Sequence, residues 1–112
     1  MELLKRVRDA LLTVTKDVHH FEKTGSEERY IVWQEGIEGD SLHADDKHEI
    51  MVINGTIDLF TKQEYDPWVQ EITRALEDAE ITCRIESIQY EDETGYIHYE
   101  WHLRWHNGKN TG

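Results

Sequence analysis

Cysteine and proline each occur once in this chain, and basic residues are half as numerous as acidic ones. A single cysteine, Cys83, excludes an intrachain disulfide and any zinc site built from several thiolates of one chain. It falls inside a predicted strand, where a buried and inert thiol is the ordinary role. Twelve Lys and Arg against 24 Asp and Glu leave a formal net charge of −12. Such a surface repels nucleic acid and anionic membranes. No apolar run approaches the roughly 20 residues of a membrane span. The opening MELLKRVRDALL is too interrupted by charge for a signal peptide, so the cytosol is the expected compartment. Asn54-Gly55-Thr56 matches a glycosylation acceptor, but in a predicted strand of such a chain we read it as chance.

What is present suits a folded domain. The chain has 112 residues, 38% of them hydrophobic, with four Trp and five Tyr. This predicts one domain over 1–112 with one modest core. Leu4, Val7, Leu11, Val14 and Val18 recur at helical steps, widened by Leu3 and Leu12, and predict an amphipathic helix over about 2–18. HHFEKTGSEE reads as a linker. YIVWQE, Tyr30 to Glu35, reads as a short strand. The polar stretch GIEGDSLHADDKHE, about 36–49, reads as a long acidic loop; loops of that length in a compact domain usually serve a function or are disordered.

Ile50 to Thr61 reads as a long strand with Met51, Ile53, Ile57 and Leu59 on one face. Gly55 between them predicts a bulge, a bend or a close backbone approach. Asp66 and Pro67 suit the start of a second helix, whose apolar side is Trp68, Val69, Ile72, Ala75, Leu76 and Ala79. Ile81 to Glu91 reads as a strand that changes phase near Ser87-Ile88, as a bulge would require. EDETG is a hairpin loop before the last strand, and the tail at about 107–112 is expected to fray. The expected fold is α+β: two helices on one face of a mainly antiparallel four-stranded sheet, in the order α-β-β-α-β-β.

The segment GYIHYEWHLRWH carries the most chemistry. Strand side chains alternate faces, so Ile97, Tyr99, Trp101, Leu103 and Trp105 share one face. His98, Glu100, His102, Arg104 and His106 share the other, with Tyr96. Three histidines and a carboxylate raise the question of a metal site. His98 and His102 lie about 13 Å apart on an extended strand, too far to bind one ion directly. Neighbours two residues apart, at about 7 Å, are near enough, but a third ligand has to come from elsewhere and Arg104 disfavours a cation. A wet sheet face, or one that docks a second subunit, gives the same alternation. The DSLHADDKH stretch fails the calcium-loop pattern, which needs a central Gly and a terminal Glu. No phosphate-binding glycine loop and no nucleophile with a base is visible.

Three segments, YIVWQEGIEGDSLHADD, GTIDLFTKQEYDPWVQEI and IQYEDETGYIHYEW, together resemble small tail terminator or tail completion proteins of siphoviruses and prophages of Gram-positive bacteria. The resemblance is of whole segments, not of a catalytic motif. It implies a structural virion assembly protein and no enzyme, with no catalytic residue, cofactor or metal. It implies a homo-oligomer, a hexameric ring that binds the last ring of tail-tube protein, ends tube growth and presents a surface to the head connector protein. DNA passes through without specific binding. The protein then resides in the host cytoplasm during assembly and in the virion tail afterwards. Under this resemblance Asp40, Ser41, His43, Asp45 and Asp46 form the candidate lumen-facing or tube-facing loop, and His98, Glu100, His102 and Arg104 the candidate subunit interface. The alternatives are a head-tail connector or stopper, a small metal-binding enzyme using His98, Glu100 and His102, and an acidic DNA-mimic inhibitor.

Overall fold

The computed structural model describes residues 2–36, 42–45 and 50–106. The elements run α1 (Glu2–Leu12), β1 (Val18–His20), β2 (Tyr30–Glu35), β3 (Leu42–Asp45), β4 (Ile50–Thr61), α2 (Trp68–Asp78), β5 (Thr82–Glu91) and β6 (Tyr96–His106). The strands form one mixed sheet along the path β1-β2-β4-β6-β5, with β3 beside β4.

This corrects the expected four-stranded sheet and its α-β-β-α-β-β order. β1 pairs with β2 in parallel, so the sheet is mixed. β3 pairs antiparallel with β4, inside the stretch expected to be a loop. The predicted first helix also ends early. Thr13, Val14 and Thr15 follow its last turn, and three β-branched residues in a row lose side-chain freedom in a helix. The Thr13 hydroxyl donates to the Ala10 carbonyl at 2.6 Å, and the Val14 and Thr15 amides both donate to the Leu11 carbonyl. Val18 keeps the helical spacing but belongs to β1.

β4 organises the sheet. β6 pairs along one of its edges from Val52 to Thr61. On the opposite edge β3 takes Ile50 to Ile53 and β2 takes Gly55 to Phe60. The inner face carries Ile31 and Trp33 of β2, Ile53, Ile57 and Leu59 of β4, and Trp101, Leu103 and Trp105 of β6, all buried. Val7, Ala10 and Leu11 of α1 and Ile72 and Leu76 of α2 close the same cluster. Side-chain hydrogen bonds tie each helix to the sheet. The Trp101 indole donates to the Thr73 hydroxyl at 3.1 Å, and Arg6 donates to the His106 carbonyl at 2.8 Å.

Gly55 stands where β2, β4 and β6 meet. A Cβ there would lie 2.5 Å from the Gln34 carbonyl oxygen and 3.2 Å from the Trp105 ring. The absent side chain lets the strands keep their spacing over the buried indole. We expect Gly55→Ala to destabilise the fold by about 1–3 kcal/mol, as overpacking against backbone does, read as a lowered urea midpoint.

The entry to α2 is fixed by a buried carboxylate. Asp66 is 3% exposed. It accepts the Trp68 amide at 2.8 Å and both arms of Arg29, one of them at 2.8 Å. The Arg29 guanidinium lies 3.6 Å from the centre of the Trp68 ring. Burial alone would raise the Asp66 pKa, but the hydrogen bonds from Arg29, the Trp68 amide and Thr61, together with the Arg29 charge, hold it below its ordinary value. Between the lowered folded value and the ordinary one, the unfolded chain binds more protons, so stability rises with pH. The contribution is complete above the ordinary value of 3.8 and is lost as pH falls through the folded one. We expect Asp66→Ala to cost about 2–3 kcal/mol at pH 7, less than a fully buried pair because Arg29 is partly exposed. The variant should also show a shallower loss of urea stability on acidification than the wild type.

Candidate functional site

Among the described residues no helix covers the outer face of the sheet. It is lined by Tyr30, Val32 and Gln34 of β2, Thr56, Asp58 and Phe60 of β4, and His98, Glu100, His102 and Arg104 of β6, placed by the ladder registers. Arg84 of β5 stands opposite His102. The register slips between Ile85 and Ser87, which is the phase change read from the sequence. The extra residue is Glu86, and the bulge brings its carboxylate within 3.7 Å of His102 Nδ1.

The structure therefore gathers His98, Glu100, His102 and Arg104 on one face, and each has a different environment. His98 Nε2 lies 2.6 Å from Asp58 Oδ1, and its ring stacks on Phe60 at 4.3 Å. Phe60 stacks on Tyr30 in turn, and Tyr96 meets both edge-on. His102 Nε2 lies 3.0 Å from Glu100, so Glu100 and Glu86 sit at opposite nitrogens of one ring. Carboxylates placed that way do not converge on a shared ion. Among the described residues, no group of three or more His, Cys, Asp or Glu is arranged to hold a metal. Arg104 is exposed and carries no hydrogen bond or ion pair with any described residue.

Two hollows flank this face. One, of about 340 Å³, lies between the segment Phe21 to Lys23 and the Tyr30, Asp58, Phe60 and His98 side chains. The other, of about 310 Å³, is a groove with Arg84, Arg104, Thr82 and His102 on its walls and Leu103 and Cys83 below. Burial, and after it the charge of Glu77, raises the Cys83 thiol pKa, which keeps the thiol protonated and unreactive.

Of the expected acidic-loop residues, Asp40, Ser41 and Asp46 lie outside the described residues, as does the expected frayed tail at 107–112. His43 and Asp45 are on β3, opposite Val52 and Ile50. Sequence reasoning missed Asp58, Arg84 and Glu86. The only signal for Asp58 was that it is the one charged residue of its strand, and its partner becomes visible only through the β4–β6 register. It also missed a patch on the helix side of β5, where Ile88 is 59% and Tyr90 65% exposed beyond the reach of α2.

No protein-family model matches this chain, and no curated protein is a significant match to it. Among the described residues no helix is long and apolar enough to cross a membrane.

Asp58 gives the face a pH dependence. Burial raises its pKa, with Glu100 adding to the rise, while the hydrogen bond and charge of His98 and the charge of His102 oppose it. A raised carboxylate binds its proton more tightly folded than unfolded. Stability therefore falls as pH rises from the ordinary value of 3.8 through the folded one, and is flat above it. Asn in place of Asp58 keeps a hydrogen-bonding group beside His98 without the buried charge. We expect Asp58→Asn to be at least as stable as the wild type at pH 7 and to lose less stability between pH 4 and 6, followed by thermal unfolding across that range.

Proposed function

We propose that this chain is a structural subunit of phage tail assembly, of the tail terminator kind: it forms a ring at the head-proximal end of the tail tube, ends tube growth and offers the head-joining surface. The observation that carries this reading is the β5 edge. β5 is a ten-residue strand at the end of the sheet path, and it presents Ile88 and Tyr90 to solvent beside a backbone edge that no other described strand pairs. Monomeric proteins blunt such edges because they pair with other chains. A subunit whose task is assembly has a use for one. The uncovered outer face supports the same reading. Among its described residues the ionised groups largely pair with one another, and no constellation of nucleophile and base stands over a cleft.

The charge is consistent with a wall that DNA passes. Phosphate contacts create affinity for nucleic acid, and a chain with twice as many carboxylates as cations offers few. The hexameric state, the tail-tube and head connector partners, and the residence in host cytoplasm and virion tail belong to this proposal.

The test is a mixture of the purified protein with its cognate tail-tube protein, viewed by electron microscopy. Caps at tube ends and arrested tube length are expected, and Ile88→Lys with Tyr90→Lys should reduce capture while the circular dichroism spectrum stays unchanged. Tubes that elongate as before, with all of the protein left in the supernatant, would sink the reading.

A further inference from the structure

We propose that the groove between Arg84 and Arg104 receives the acidic β5–β6 hairpin tip of a second copy of this chain, so that copies join head to tail. This rests on the assembly reading above and names its subunit contact.

The two surfaces lie at opposite ends of one ladder. The tip consists of Glu91, Asp92 and Glu93, all exposed. Its turn is held by the Gly95 amide on the Glu91 carbonyl and by the Thr94 hydroxyl on the Glu91 carboxylate. These bonds leave Asp92 and Glu93 projecting from the fold. Lys62, over the Tyr96 ring at this end, is already 3.6 Å from Glu28. The tip is therefore a net acidic projection.

Arg104 stands eight residues further along β6 than Tyr96, about 26 Å at strand rise. It has no charged partner among the described residues, in a chain with a net charge of −12. Arg84 faces the same groove. It pairs with Glu86, whose side chain is 32% accessible, while 77% of the Arg84 side chain is accessible, so its guanidinium can reach a second carboxylate at little cost. Two guanidiniums flanking a groove of about 310 Å³ form a receptor for carboxylates, which bind arginine in a two-pronged geometry. The tip supplies carboxylates on a narrow two-stranded ribbon.

A contact between two different patches is heterologous. It leaves one tip and one groove free at the ends of every chain of copies, and it closes into a ring when the rotation per copy permits. Distant like charges on the copies repel, but at physiological salt the screening length is about 8 Å. Contacting pairs survive that screening and most of the remaining repulsion does not.

The experiment is sedimentation velocity of the full chain near 0.15 M salt, over a range of concentrations up to the solubility limit. The groove variant is Arg84→Glu with Arg104→Glu, and the tip variant is Asp92→Lys with Glu93→Lys. Circular dichroism checks that both fold; a reversal that does not fold is replaced by its milder form, Arg104→Gln or Glu93→Gln, in the same assay. The wild type is expected to form oligomers. Each reversal alone should weaken self-association at least about tenfold, and an equimolar mixture of the two reversals should restore it, because every contact then meets its complement. A wild type that stays monomeric throughout, reversals without effect, or a mixture without recovery would each overturn the contact. Tube capping by a monomeric wild type would leave the tail reading standing and remove this interface. Head-to-tail oligomers that ignore tubes would do the opposite.

Discussion

Strand β4 has two edges and three partners, and the fold follows from how it divides them. β6 takes one edge from Val52 to Thr61, so β3 and β2 must follow each other along the other. The changeover falls at Asn54 and Gly55, where the Gly36 amide donates to the Asn54 carbonyl at 2.8 Å and the Glu35 backbone approaches Gly55. Any side chain at that point meets the neighbouring backbone or the ring of Trp105. The missing Cβ is therefore the condition under which one strand serves three, and the inner face can then hold the three buried indoles of Trp33, Trp101 and Trp105 beneath the helices.

How far this could be read in advance depends on the length of each element and on whether its pattern stands alone. β6 was legible because its eleven residues alternate faces throughout, and β4 because it is a long run rich in β-branched and apolar residues. The bulge in β5 was legible because the alternation visibly slips. Asp66 and Pro67 marked the start of α2, and both act there, although Asp66 also ties down Arg29. β1 and β3 were not legible. VHH and LHAD are too short for a period, and their histidines and aspartate read as solvent-loving. What makes them strands is a neighbour's open backbone edge, which is a tertiary fact. Val14 and Val18 were misplaced for the same reason: they continue the apolar spacing of α1 but bury themselves from a turn and a strand.

The candidate site shows the same limit. The facing of His98, Glu100, His102 and Arg104 follows from strand alternation alone. Their partners do not, because Asp58 meets His98 across forty residues of sequence and Glu86 meets His102 only through the bulge. The partners decide the chemistry. His98 and His102 are each engaged by carboxylates, the aromatic rings of Tyr30, Phe60 and His98 lie in a continuous stack, and among the described residues Arg104 is left as an unmatched charge.

The central ladder joins residues 52–61 to residues 97–106, and this separation shapes how the chain acquires its fold. The β5–β6 hairpin is local and closes over a short turn, so it can form early as a unit. The earlier half of the sheet cannot finish without it. Until that hairpin docks, Ile53, Ile57 and Leu59 lack the indoles of Trp101 and Trp105, and the β6 side of β4 is an open edge. Distant pairings of this kind slow folding, and a half-made sheet with apolar residues showing is the species that chaperones recognise or that aggregates. During synthesis the last strand is thus the one that ends the exposure of the nascent core.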